Sequence, residues 1–198
     1  MVAMSEADSE SLGHGLLLED VLPLQWHSLE EKAALQQVLK LHESNEEVLR
    51  FIGALDEYPS EVGDEYAVIS QELARVETKL NLVLGLLGQL MTVHFPLPPS
   101  KSVKLNPVGI EWMAEETPHP GEYGLVDIYL NARCPRPLVF PGKVVHIEAD
   151  QGIYRIVVKF LEMNESIQER LEKLIFRHHR RRVAMVRRRA SPESEKLP

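Results

Sequence analysis

The sequence predicts an α+β protein: an N-terminal helical segment dominated by one long coiled-coil helix, then a small antiparallel β-barrel with a C-terminal helix. Three observations predict it. Nine apolar residues between Val62 and Leu90 recur with strict 4-3 spacing. Beyond Pro96, Pro98 and Pro99 the periodicity switches from helical to alternating, in short runs separated by turn signals. A last amphipathic stretch begins near Asn164 and runs into a cluster of arginines.

From the N-terminus, residues 1–27 read as a polar arm whose Leu16–Trp26 portion is a short strand or extended segment interrupted by Pro23. Ser28 with Glu31 forms a capping box that opens a helix through His42, and Ser44 with Glu47 repeats the device for a second helix toward Glu57. Pro59 stops that element, and Ser60 caps a third helix over 60–93. The following prolines cannot continue a helix. We therefore expect an arm (1–27), a helical oligomerisation segment (28–95), a barrel with its closing helix (100–182) and a basic tail (183–198).

The strand runs are Val103–Leu105, Ile110–Met113, Val126–Leu130, Leu138–Ile147 and Ile153–Leu161, with turns at 118–121, 135–137 and 150–152. Five or so short strands at this spacing suit a small antiparallel barrel. Ile167, Leu171, Leu174 and Ile175 give the last helix one apolar face.

The long helix carries the strongest functional signal. Val62, Tyr66, Ile69, Leu73, Val76, Leu80, Val83, Leu87 and Leu90 hold the heptad spacing, so the stripe stays on one face only if helices supercoil around one another. Tyr66, Leu73, Leu80 and Leu87 occupy a; the others occupy d. Leucine at a with β-branched residues at d favours three or four strands, and Leu82, Leu84 and Leu86 widen the face further. We expect a homo-tetramer. The rival is a long helix packed on its own domain.

Composition narrows the remaining classes. The single cysteine, Cys134, excludes an intrachain disulfide framework and fits a reducing compartment. The first residues lack the pattern of a signal peptide, and Leu80–Val93 is interrupted by Asn81 and Gln89, short of a membrane span. A cytoplasmic protein without membrane insertion is expected. The eight histidines show no ligand spacing, so no metal or other cofactor is expected. Phosphate-loop, nucleophile-elbow and metalloprotease motifs are missing, and we expect no enzyme. Cys134 follows Arg133, a setting that lowers a thiol pKa. Trp26 and Trp112 read as core or interdomain packing.

Charge is uneven. The chain carries a formal −8, but residues 177–198 hold +6 and the remainder −14. Arg177, Arg180, Arg181 and Arg182 are the candidate anion or partner contacts. They fit a solvated helix end, an acidic partner or the protein's own acidic body, or nucleic acid. No aromatic residue lies among these arginines to stack bases, and the overall negative charge works against nucleic acid.

Residues from about 100 to 182 resemble a PilZ domain, a bacterial barrel known as a cyclic di-GMP receptor. The resemblance rests on Asn106-Pro107-Val108-Gly109-Ile110 at the family's Asp/Asn-x-Ser-x-x-Gly turn, and on Pro137–Val145 in its middle strands. Ile153–Leu161 and Glu169–Phe176 resemble its last strand and closing helix. The ligand motif departs from the family. Where the family has Arg-x-x-x-Arg, this chain reads Pro98-Pro99-Ser100-Lys101-Ser102, and lysine does not reproduce a bidentate guanidinium. In the turn, Lys104 replaces the acid, Asn106 replaces the serine, and only Gly109 remains, where a backbone with positive φ is expected. Ordinary cyclic di-GMP binding is not expected.

An atypical PilZ domain joined to a heptad helix is similar to the tetramer-forming PilZ proteins of xanthomonads. That resemblance implies a non-receptor role in cyclic di-GMP-related signalling, through an unidentified protein partner. The alternatives are a cyclic di-GMP receptor using non-standard residues and a nucleic-acid-binding oligomer.

Overall fold

The computed structural model describes Leu12 and residues 15–56, 67–131 and 134–190. In chain order the elements are β1 (Leu18–Leu29), α1 (Glu31–Asp56), α2 (Ala67–His94), β2 (Ser100–Asn106), β3 (Gly109–Ala114), β4 (Tyr123–Ile128), β5 (Leu138–Asp150), β6 (Ile153–Phe160) and α3 (Glu165–Ala190). The strands close an antiparallel barrel in the order β1-β2-β3-β6-β5-β4.

The barrel begins earlier than the sequence reading placed it. Residues assigned to an arm form β1, whose first half pairs with β2 (Leu18 opposite Leu105) and whose second half pairs with β4 (Leu24 opposite Ile128). Proline sits at the change of partner: Pro23, with no N–H to offer a ladder, still accepts from the Tyr129 N–H at 3.1 Å. The neighbouring Leu24 N–H reaches the Pro99 carbonyl at 3.3 Å. One strand thereby joins two others and leaves no free edge.

The two short helices expected over 28–42 and 44–57 are one continuous α1. Asn45, between the two residues of the apparent capping box, faces the barrel, while Ser44 and Glu47 meet Arg136. Asn45 is buried, donates to the Val139 carbonyl at 2.8 Å and accepts from the Val139 N–H at 2.9 Å. Its amide thus completes the ladder at the end of β5 that β6 does not reach. Glu47 pairs with Arg136 at 2.9 Å.

The closing helix starts at its expected cap, where Asn164 Oδ1 accepts the Ile167 N–H at 2.8 Å. It continues to Ala190, past the boundary expected at 182. Ile167, Leu171 and Ile175 join Val48, Leu49 and Ile52 of α1 and the inward residues of the strands in one core. The β5–β6 turn is Gln151-Gly152, with φ of 50° and 88°, the mirror-image geometry that suits the twist of a hairpin.

Candidate functional site

α2 makes no substantial packing contact with the other elements of the described chain. Its heptad residues lie in the open accordingly: Leu73 is 62% exposed, Leu80 57% and Leu90 56%. Ile69, Val76, Val83 and Leu87 are exposed by more than half as well. Val62, Tyr66 and the cap Ser60 lie outside the described residues. A helix that leaves about half of each aliphatic side chain in water forfeits roughly 1 kcal/mol or more per side chain that burial would return. Its C-terminal half adds Leu82, Leu86 and Met91, so the unpartnered face is widest where the chain turns back to the barrel.

The degenerate turn is built for internal contacts. The hairpin of β2 and β3 sets Lys104 opposite Glu111, and Lys104 Nζ lies 3.3 Å from Glu111 Oε1. The other Glu111 oxygen meets Arg155 at 3.4 Å, and Arg155 Nε donates to Glu148 at 2.9 Å. Burial works against the Arg155 charge, yet Glu148 and Glu111 hold its pKa above the ordinary guanidinium value. Lys104 is therefore one end of a charge ladder along the barrel wall.

Asn106 is fully committed. Its oxygen accepts from the Val108 and Gly109 N–H groups at 2.9 and 3.0 Å, which fixes the turn, and its amide donates to the Leu12 carbonyl at 2.6 Å. Leu12 is itself buried beside Gly109, so this residue covers the turn. Gly109 does not have the positive φ expected of it. The residue must be small because a Cβ there would sit 2.3 Å from the Val158 carbonyl oxygen. Sequence reasoning missed Glu111 and Leu12. The first was within reach: a two-residue loop at Pro107-Val108 puts positions 104 and 111 opposite each other.

The arginines fold back on their own chain. Arg177 Nη1 donates to the Gly53 carbonyl at 3.4 Å, one of the last-turn carbonyls of α1 that lack a helical partner. Arg180 lies over the Phe176 ring at 5.9 Å, and Arg182 pairs with Glu19 of β1 at 3.0 Å. Arg181 lines a small cleft with Asp20 and His178, which pair with each other at 3.1 Å. Arg177, Arg181 and Arg182 thus lie against β1 and α1, while Arg180 stays exposed on α3 over Phe176.

Cys134 differs from its expected chemistry. It is buried, and burial pushes its thiol above the ordinary value despite Arg136 nearby. Among the described residues, no group of three or more His, Cys, Asp or Glu could hold a metal ion, and no helix is long and apolar enough to cross a membrane.

The family model of the atypical PilZ domain, described as a cyclic di-GMP receptor, matches residues 49–188. Among solved structures the chain is similar to a pathogenic protein from Xanthomonas campestris, described as a tetrameric PilZ domain self-assembled via an unusual helical bundle. The two are 25% identical over 85% of this chain and 91% of that one, with a TM-score of 0.67. No curated protein sequence matches the chain.

Proposed function

The chain belongs to the atypical PilZ domain family, and from that premise we propose that it is a non-enzymatic scaffold of cyclic di-GMP-related signalling. Four copies join through α2, and the barrels present a repeated surface to a protein partner. The observation that carries this reading is the exposed heptad stripe on a helix with no packing partner in its own chain. A coiled coil supplies the missing partner, and leucine at a with β-branched residues at d favours more than two strands. The Xanthomonas protein, similar over most of both chains, assembles as a tetramer through a helical bundle, which supports the same use of α2 here.

Function would then come from number. Linked sites raise effective concentration, so four weak contacts hold a partner that one would release. The barrel itself takes no nucleotide at the family turn in this reading. Lys104 and Asn106 are tied to Glu111 and Leu12, and the position of the arginine pair holds Lys101.

Light scattering tests the proposal. The native protein should have four times the chain mass, and Leu80→Glu should reduce it to one or two chains. A wild-type monomer would refute the scaffold. The second reading, a receptor with non-standard residues, is favoured by the description of the family itself. Calorimetry with cyclic di-GMP decides between them, because the scaffold requires no saturable heat at micromolar concentrations.

A further inference from the structure

We infer that the open mouth of the barrel is a binding site for a small planar aromatic carboxylate. The mouth encloses a cavity of about 420 Å³ at the end of β2 remote from Asn106. Its walls come from Leu24 and Trp26 of β1, Trp112 of β3, Pro98 and Pro99 of the linker after α2, and Lys101. A cavity of this size suits a single ring system.

Three features define what would fit. The first is an aromatic platform that is already fixed. Trp26 and Trp112 lie with ring centroids 6.2 Å apart, and the Trp26 indole N–H donates to Glu122 Oε1 at 3.1 Å. Glu122 also accepts from the Ser28 hydroxyl and from the His119 N–H at 2.9 Å. The indole edge is satisfied by protein, Gly124 packs on part of the ring and Trp112 is fully buried, so the half-buried remainder of Trp26 is the aromatic surface a ligand would meet, already fixed in its rotamer.

The second feature is a half-buried cation that no carboxylate pairs directly. Lys101 alternates with Val103 and Leu105 on the inward side of β2, and its ammonium hangs over the Trp112 ring at 6.0 Å. Among the described residues no carboxylate lies within ion-pair distance of it, and burial lowers its pKa. A half-buried ammonium over a ring face, with Glu116 acting on it only from a distance, gains from an anionic group placed directly beside it. The third feature is sign. Glu116 stands at the rim, close enough to act on Lys101 through its charge, and would oppose any anion that enters. Removing that carboxylate should therefore tighten binding.

Of the two tryptophans, Trp26 is half-buried at this cavity and Trp112 is fully buried beneath it, so a stacked ring quenches the Trp26 share of the emission. The test titrates the full chain with benzoate, following emission excited at 295 nm (a conventional wavelength, roughly selective for indole). Benzamide serves as the uncharged analogue and cyclohexanecarboxylate as the non-planar anion. Saturable quenching by benzoate, with each analogue weaker by about tenfold, is expected for one charge-assisted contact and one stacking contact. Lys101→Met should cost benzoate about tenfold, and Glu116→Gln should strengthen it several-fold with no change for benzamide. Because Glu116 is exposed, that variant keeps the test independent of any folding defect in the first. Equal binding of benzoate and benzamide, an unaltered Lys101→Met, or no saturation by about 10 mM benzoate would overturn the assignment.

Discussion

The barrel with α1 and α3 and the helix α2 solve the same problem in opposite ways. In the former, Leu105, Ile110, Ile128, Leu138, Ile156, Ile167 and Leu171 have no exposed surface at all. In α2, the aliphatic residues of the heptad stripe are all more than half exposed. The difference lies in the period. Strands that alternate every second residue bury one face by closing on one another, within a single chain. A stripe that repeats at about 3.5 residues is matched by a second helix of the same period, which this chain does not supply. The body buries its apolar face within one chain, whereas the described elements bury no such face for α2, which is why we propose that other copies do.

Leu80→Glu should separate the two regions most strongly. It should dissociate the assembly while leaving the strand circular dichroism and the near-ultraviolet tryptophan signal of the body intact. Loss of the body's signals along with the mass would show that the two regions are not independent. Next in size, Asn45→Ala strands the N–H and carbonyl of Val139 and should destabilise the body by about 2–3 kcal/mol in urea unfolding of the Leu80→Glu background. Gly109→Ala forces a Cβ against the Val158 carbonyl oxygen and should cost about 1–3 kcal/mol, again without altering the mass of the native assembly.

A smaller effect depends on pH. Burial works to raise the Glu122 carboxyl, but hydrogen bonds from Ser28, the His119 N–H and Trp26 together bring it below the ordinary carboxylate value. A depressed folded value means that the unfolded chain takes up the proton first. The contribution is therefore present above the unfolded pKa and is lost as pH falls through the folded one. Glu122→Gln should flatten the acid limb of the stability profile of the body and leave the mass unchanged. Smallest of all, Arg182→Ala removes an exposed pair with Glu19 and should shift stability by less than about 1 kcal/mol.

Much of this was legible in the residues. Alternation located β2 through β6, and an asparagine cap with an apolar face located the start of α3. Each failure has a physical cause. β1 was obscured by Pro23, which forbids a continuous ladder with one partner yet suits a strand that changes partners. Ser44 and Glu47 resemble a helix start because capping and docking both call for short polar side chains, and only the fold shows that Arg136 engages them. Gly109 was correctly singled out for the wrong reason, since crowding from another strand leaves no mark in local sequence. Lys101 could be noted as a poor stand-in for arginine, but its place over Trp112 depends on strands that sequence alone does not bring together.

The split pairing of β1 also orders events during synthesis. Between β1 and its partners β2 and β4 the chain inserts the whole of α1 and α2. Such long-range pairing is slow, because loop closure must precede any reward. As the ribosome works from the N-terminus, α2 is complete before any partner of β1 has been made. The apolar helix therefore emerges first, and β1 gains β2 as a partner once residue 106 has appeared but completes its ladder only when β4 follows at residue 128.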